Sequence, residues 1–170
     1  MGLSEKSIVN NYKELEKQVQ WLLDKYNRNI IVEEYIEGID ISMAYIDGLG
    51  ALGPCKVDCD AKFYDYEMKT IKDESVDITP IKDEYKDLKD IVIKIAKRLD
   101  IKGYAKLDFR VKNNKYYLIE VNSQVSFHPL GEFITCCKKD GYDFNKIINY
   151  IVDKALESSS KVNSIGIGEF

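Results

Sequence analysis

The sequence predicts an α+β fold in which helices pack against an antiparallel sheet. Two apolar-rich segments, 103–111 and 116–121, flank the polar turn 112–115. Such a pattern is typical of a β-hairpin, because Asn in the turn tolerates positive φ. Apolar residues at helical spacing occur in other segments. Strands and helices do not alternate regularly, which disfavours a parallel βαβ sheet.

The remaining elements follow from periodicity and from turn residues. Ser7 is the expected N-cap of the first helix, and Asn27-Arg28-Asn29 is expected to end it. The predicted helices cover residues 7–28, 83–99, 132–139 and 144–157. Further strands are predicted at 30–32, which is β-branched and expected to be buried, at 39–46, which an Asp47-Gly48 turn follows, and at 49–57, which Gly53-Pro54 interrupts. Residues 58–79 are expected to form a long ordered loop, and 158–170 a mobile tail.

Composition excludes several classes of function. The chain has 170 residues and a net charge of −4, which argues against a nucleic-acid or membrane-surface partner. It shows neither a signal-peptide pattern nor an apolar run long enough to span a membrane, so a cytoplasmic protein is expected. The four cysteines lack CxxC spacing and are interpreted as reduced thiols. A zinc site formed by Cys55, Cys59 and His128 is the alternative.

Polar residues along the hairpin form the first candidate site. Lys106, Asp108 and Arg110 share one face of the first strand, because side chains alternate. Glu120 and Asn122 share one face of the second strand. If the two faces coincide, their oxygen atoms suit Mg²⁺. A solvated polar face on an ordinary antiparallel hairpin explains the same residues, and spacing alone leaves both interpretations open.

The chain also resembles the ATP-grasp superfamily, and within it the D-alanine–D-alanine ligases, over residues 2–157. The resemblance rests on six segments in order: Gly2-Leu-Ser4, Val32-Glu-Glu-Tyr-Ile-Glu-Gly38, Phe63-Tyr-Asp-Tyr-Glu-Met-Lys69, Gly103-Tyr-Ala-Lys-Leu-Asp108, Leu118-Ile-Glu-Val-Asn122 and Asp140-Gly-Tyr-Asp-Phe144. Each segment is weak alone, but the set is specific. It implies that residues 1–157 are the C-terminal part of an ATP-grasp domain, with the ATP-grasp C-terminal subdomain fold.

The resemblance implies an activity and a set of roles. Such ligases use ATP and Mg²⁺, with Mn²⁺ as a substitute, to convert a carboxylate into an acyl phosphate that an amine attacks. The implied roles are metal ligation by Asp108, Glu120 and Asn122, adenine binding by the segment containing Glu33, Glu34, Tyr35 and Ile36, ribose binding by Asp40, and phosphate binding by Lys69. The implied product is a D-alanyl-D-alanine precursor of peptidoglycan.

Departures from the ligase pattern open alternatives. Lys106 stands where the ligases have an oxyanion-stabilising arginine, and a lysine lacks the bidentate fork; Arg110 on the same face is a candidate to compensate. The loop 124–133 differs from the ligases' acceptor loop, and it contains His128, which is either an acid/base or a structural residue. Another amino acid or a peptide is therefore an alternative substrate.

The segments that precede this part of the ligases are not in the chain. Its expected partners are amino-acid substrates and an N-terminal half, which is supplied by the same gene or by a partner chain. A homodimer is a further expectation. Without the second wall of the nucleotide site, the isolated chain is expected to bind ATP poorly, and a non-catalytic fragment or subunit is the remaining alternative.

Overall fold

The computed structural model describes residues 7–59, 76–81 and 84–164. The chain divides into two compact units: the first comprises Met1–Glu37 and Asp58–Asp77, and the second comprises Gly38–Val57 and Ile78–Phe170. The helices are α1 (Tyr12–Tyr26), α2 (Leu88–Arg98), α3 (Glu132–Lys139) and α4 (Phe144–Ser164). The strands are β1 (Ile39–Ile46), β2 (Gly50–Cys59), β3 (Val76–Pro80), β4 (Tyr104–Lys112) and β5 (Lys115–Asn122). No helix among the described residues is long and apolar enough to cross a bilayer.

The first unit contains α1 and the segment that leads to β1. The helix begins later than predicted, because Asn11 rather than Ser7 is its N-cap. The Asn11 side chain accepts a hydrogen bond from the Glu14 backbone N–H at 3.0 Å, while the Glu14 carboxylate accepts one from the Asn10 N–H at 2.8 Å. Asn27, at φ 47°, ends the helix as predicted.

The prediction of a buried strand at 30–32 was wrong. These residues have no strand structure, and Ile31 and Val32 are 81% and 58% exposed. A β-branched run favours extended backbone, but a strand also needs a neighbour to satisfy its backbone groups. No described strand pairs with this segment.

The second unit is built on an antiparallel sheet with strand order β3-β2-β1-β4-β5. The hairpin β4–β5 confirms the sequence prediction to within about one residue at each end. Its turn residues Asn113 and Asn114 have φ of 50° and 58°, which is the left-handed conformation that Asn tolerates. The predicted α+β class is therefore confirmed.

Register shifts occur in two of the described strand pairs, β1–β2 and β4–β5. In β2 the shift lies opposite Met43, where Gly53-Pro54 interrupts regular pairing, so the predicted interruption is a bulge inside one continuous strand. In the hairpin, Asp108 pairs with Glu120 and Phe109 pairs with Leu118, which leaves Ile119 as an extra residue. The bulge explains why Tyr116 packs against the core although Glu120, four residues later, lies on the other face.

Each face of the sheet carries its own apolar core. The first face packs against α2, and its buried members include Ile41, Met43, Leu107 and Phe109 from the strands with Leu88 and Val92 from the helix. The second face packs against α3 and α4. This second core comprises Ala44, Ile46, Leu52 and Cys55 from the strands, Phe133, Ile134, Cys136 and Cys137 from α3, and Ile147 from α4.

Other boundaries also differ from prediction. Residues 76–79 were expected in a loop but belong to β3, whereas 60–75 lie outside the described residues. The second helix begins at Leu88 rather than at residue 83, after Tyr85 takes a φ of 57°. The last helix continues past 157 to Ser164, since no glycine or proline precedes Gly166 in that stretch.

Candidate functional site

The candidate site is the polar part of the second sheet face, where β1, β4 and β5 lie side by side. Pairing sets Asp40 opposite Arg110 and Ser42 opposite Asp108. It also sets Asp108 opposite Glu120, and Lys106 opposite Asn122. The polar residues of β4 and those of β5 therefore lie on the same face of the sheet, as the metal-site prediction requires. We call the set Asp40, Ser42, Lys106, Asp108, Arg110, Glu120, Asn122 and Glu132 the polar cluster.

Lys106 lies between two carboxylates. Its Nζ is 2.9 Å from Asp108 Oδ2 and 3.7 Å from Glu132 Oε1, and its side chain is only 12% exposed. Burial alone would lower the pKa of Lys106, but the attraction of Asp108 and Glu132 outweighs it and raises that pKa above its ordinary value. The lysine is therefore a fixed positive charge at neutral pH.

Asp108 is held from both sides. Ser42 Oγ, which is buried, donates to Asp108 Oδ1 at 2.6 Å, and the Lys106 ammonium contacts the other oxygen. A carboxylate held by two donors has a fixed orientation toward the space above the sheet. Preorganised oxygens of this kind suit a hard cation better than mobile surface carboxylates.

Asp40 and Arg110 form a bidentate ion pair. Arg110 Nε donates to Asp40 Oδ1 at 2.6 Å, and a terminal guanidinium nitrogen donates to Oδ2 at 2.7 Å. Gly38 permits the close approach of the chain here, because a Cβ at that position would overlap the carbonyl oxygen of Val111. The guanidinium of Arg110 is thus bound to Asp40. That Arg110 replaces the arginine missing at position 106 stays a prediction.

The metal-ligand prediction fits the chemistry of the donor set. Glu120 is exposed, and its carboxylate makes no hydrogen bond to another described residue. Asn122 Oδ1 accepts from the Gln124 N–H at 2.8 Å, which orients the amide on the same face. Within the described residues no three Asp, Glu, His or Cys side chains alone form a metal-binding group. Two carboxylates and one amide oxygen nevertheless suit Mg²⁺, which takes its other ligands from water and phosphates.

The residues predicted to bind the nucleotide base belong to the first unit. They are Glu33, Glu34, Tyr35 and Ile36, where Glu33 and Glu34 are exposed, and their role stays a prediction. Lys69 and the rest of the Tyr-rich segment lie outside the described residues.

The loop after β5 is held largely by its own hydrogen bonds. His128 Nδ1 accepts from the Leu130 N–H at 3.3 Å, and the His128 carbonyl accepts from the Gly131 N–H at 2.9 Å. Phe127 packs edge-to-face on Tyr104 and Phe133, with ring centroids 5.1 and 5.7 Å apart. The contacts of His128 support its structural role.

The cysteines that the structure describes belong to the second core. Cys55, Cys136 and Cys137 are free and buried, and the Sγ atoms of Cys55 and Cys136 are 3.2 Å apart. Cys136 Sγ also donates to the Ser42 carbonyl at 3.1 Å. Burial raises the pKa of Cys136 well above its ordinary value, so the thiol form is favoured. The side chain of Cys59 is not among those described.

Sequence reasoning missed two members of the polar cluster. Ser42 shares the face of Asp40 by simple alternation along β1, so its position was available from the pattern. Glu132 opens α3 and reaches Lys106 across 26 residues of sequence. Only its place in the first turn of a predicted helix, where carboxylates are favoured, could have drawn attention to it.

The chain matches one known family over most of its length. The family described as "D-ala D-ala ligase C-terminus" matches residues 2–153. Among curated relatives, the D-alanine–D-alanine ligase of Aquifex aeolicus is 36% identical over 85% of this chain and 50% of its own length. The corresponding ligase of Bacillus velezensis is 33% identical over 89% of this chain and 44% of its own. The chain thus spans about half the length of these relatives.

Solved structures agree with the fold. A D-alanine–D-alanine ligase from Bacillus anthracis, crystallised with ATP, superposes with a TM-score of 0.73 at 23% identity and covers 91% of this chain and 51% of its own. The ligase from Coxiella burnetii gives a TM-score of 0.71 at 19% identity, over 92% of this chain and 42% of its own. At such identities the likeness concerns the fold alone.

Proposed function

The chain belongs to the D-ala D-ala ligase C-terminus family, and on that premise we propose that it is the C-terminal part of an ATP- and Mg²⁺-dependent carboxylate–amine ligase of the D-alanine–D-alanine type. The observation that carries the proposal is the register of the hairpin. It sets Asp108 opposite Glu120, with Asn122 on the same face, in a segment that the family match covers.

The polar cluster has a clear task in such a ligase. A bound Mg²⁺, or Mn²⁺, would neutralise phosphate charge during phosphoryl transfer. Asp108, Glu120 and Asn122 would hold that ion through their oxygen atoms. Ser42 fixes the orientation of Asp108 by donating to its Oδ1. The side chains of Asp108 and Asn122 are half-buried, whereas that of Glu120 is exposed.

Lys106 supplies the positive charge for the acyl-transfer step. An ammonium near the reacting carbonyl stabilises the negative charge that develops on oxygen. Its raised pKa keeps it protonated for that purpose. Compared with arginine, it donates from one point rather than from a planar fork, so it constrains the geometry of that oxygen less.

The remaining assignments follow from the family. The residues Glu33, Glu34, Tyr35 and Ile36 would bind adenine, Asp40 the ribose, and Lys69 a phosphate. The amino-acid substrates, the peptidoglycan precursor as product and the cytoplasmic location belong to the same proposal. An N-terminal half, in the same polypeptide or in a partner chain, would complete the enzyme, and a homodimer is expected.

The first test joins this chain to the N-terminal half of the Aquifex aeolicus ligase and measures ADP release with D-alanine. We expect release that depends on D-alanine and that the Asp108→Asn, Glu120→Gln double variant abolishes. The exposed Asp153→Asn on α4 is the control, and it should leave turnover unchanged. Turnover by the double variant would contradict the assignment of Asp108 and Glu120 as metal ligands.

A second readout needs only the chain itself. Titration with Mn²⁺, followed by electron paramagnetic resonance of the free ion, should show saturable binding that the double variant loses. Folding of each variant is checked by its thermal unfolding curve. Binding that persists in the double variant would contradict the proposed ligands.

The loop 124–133 supports a second candidate, a ligase that acts on another amino acid or a peptide. Hydrogen bonds within the loop, including that from Leu130 N–H to His128 Nδ1, hold its conformation. A panel of amino acids and dipeptides, scored by ADP release in the joined protein, separates the candidates. Release with D-alanine alone would exclude the second one.

A further inference from the structure

Lys106 competes with any cation at Asp108. Its Nζ is 2.9 Å from Asp108 Oδ2, while Ser42 already donates to Oδ1. A divalent ion at Asp108 would therefore meet an ammonium on the same carboxylate. Two positive charges at that distance repel each other strongly in a partly buried site. A metal ion that binds Oδ2 would displace the lysine from that oxygen.

Glu132 is placed to receive the withdrawing lysine. Its Oε1 is 3.7 Å from Lys106 Nζ, within ion-pair range but too long for a hydrogen bond. The side chains of Lys106 and Glu132 are only 12% and 17% exposed. A shielded ammonium loses hydration, so a second carboxylate offers it a better alternative than solvent does.

The position of Glu132 on α3 makes it a fixed acceptor. It is the first residue of that helix, where the unpaired N–H groups favour negative charge. The next residue, Phe133, is fully buried in the second core and anchors the start of the helix. A shift of less than one ångström by the flexible lysine stem would convert the 3.7 Å contact into a hydrogen bond.

We propose that Glu132 is a positioning residue that draws Lys106 away from Asp108 when the metal ion binds. Asp108 then gives Oδ2 to the ion, and Lys106 stays in the site on Glu132, protonated and facing the reacting groups. This inference rests on the proposed function, because it takes Asp108 as a metal ligand.

The test is a double-mutant cycle on Mn²⁺ affinity with the wild-type chain, Glu132→Gln, Lys106→Met and the double variant. Glu132→Gln should weaken binding by roughly tenfold, as removal of an outer-shell partner does. Lys106→Met should tighten it, because the competing ammonium is gone. In the Lys106→Met background, Glu132→Gln should have almost no further effect.

The alternative is that Glu132 acts only through its charge. In that case Glu132→Gln would weaken binding equally with and without Lys106, and the inference would be overturned. Glu157→Gln, which removes one carboxylate from α4, is the matched control and should leave the affinity unchanged. If Glu132→Gln does not fold, Lys106→Met alone decides: affinity that fails to rise overturns the proposal.

The double-mutant cycle also distinguishes failure of the proposed role of Glu132 from failure of the proposed metal site. If the wild-type chain shows no saturable Mn²⁺ binding, the metal site itself fails. If binding is saturable but the two substitutions act independently, the metal site stands and only the role of Glu132 is lost.

Discussion

The second face of the sheet has two halves with opposite chemistry on the same strands. On β1, Ala44 and Ile46 are buried in the apolar half, whereas Asp40 and Ser42 belong to the polar cluster. On β1, the change from polar to apolar side chains occurs between Ser42 and Ala44, which are successive residues on this face. On β4 it falls at Lys106, whose strand partner is Ala44.

The difference shows how helix placement locates the site. Phe133, Ile134 and the two cysteines of α3 close the apolar half. The same helix begins at Glu132, which turns toward Lys106. The apolar half therefore sets where α3 starts, and that start supplies a carboxylate to the polar half. The apolar half thus contributes mainly to stability and the polar half carries the candidate site. The two halves adjoin at the first turn of α3.

The largest effect on stability is expected in the apolar half. Phe133→Ala removes a fully buried ring and should lower the free energy of unfolding by about 3–5 kcal/mol. Urea unfolding followed by circular dichroism measures the loss. Leu156→Ala on the exposed side of α4 is the control and should change stability by no more than about 0.5 kcal/mol. Equal losses would contradict the contribution of the buried ring to stability.

A smaller loss is expected when the ion pair of the polar half is broken. Asp40→Asn leaves Arg110 without its bidentate carboxylate and should cost about 1–2 kcal/mol, since both groups remain partly solvated. The same urea experiment measures it. Glu157→Gln breaks an exposed pair with Lys154 and should leave the unfolding midpoint unchanged. A loss as large as that of Phe133→Ala would place the ion pair among the main supports of the fold.

A further effect on stability appears only at alkaline pH, in the apolar half. Burial, followed by the charge of Asp140, raises the pKa of Cys137 to about 12 from an ordinary 9.0. The unfolded chain therefore releases this proton first, and the contribution of the thiol to stability is lost as pH rises from 9.0 toward 12. Urea midpoints of Cys137→Ala should decline less steeply over that range than those of the wild type. Parallel declines would mean that the thiol titrates normally.

Local patterns predicted what local forces determine. The hairpin was predictable because alternation and two adjacent asparagines specify it without help from distant residues. The strand predicted at 30–32 does not form, because a strand needs a neighbour to pair with and no described strand pairs with this segment. Glu132 was missed for a related reason: its contact with Lys106 exists only after α3 packs on the sheet.

The extra residue Ile119 has a consequence for how this site tolerates change. It lets Tyr116 point into the core while Glu120 and Asn122 point away from it, so chain length, as well as residue identity, encodes the site. Deleting Ile119 would restore strict alternation, so either Tyr116 would leave the core or Glu120 and Asn122 would turn into it. A gene could thus lose this site through a three-nucleotide deletion that alters none of its polar residues.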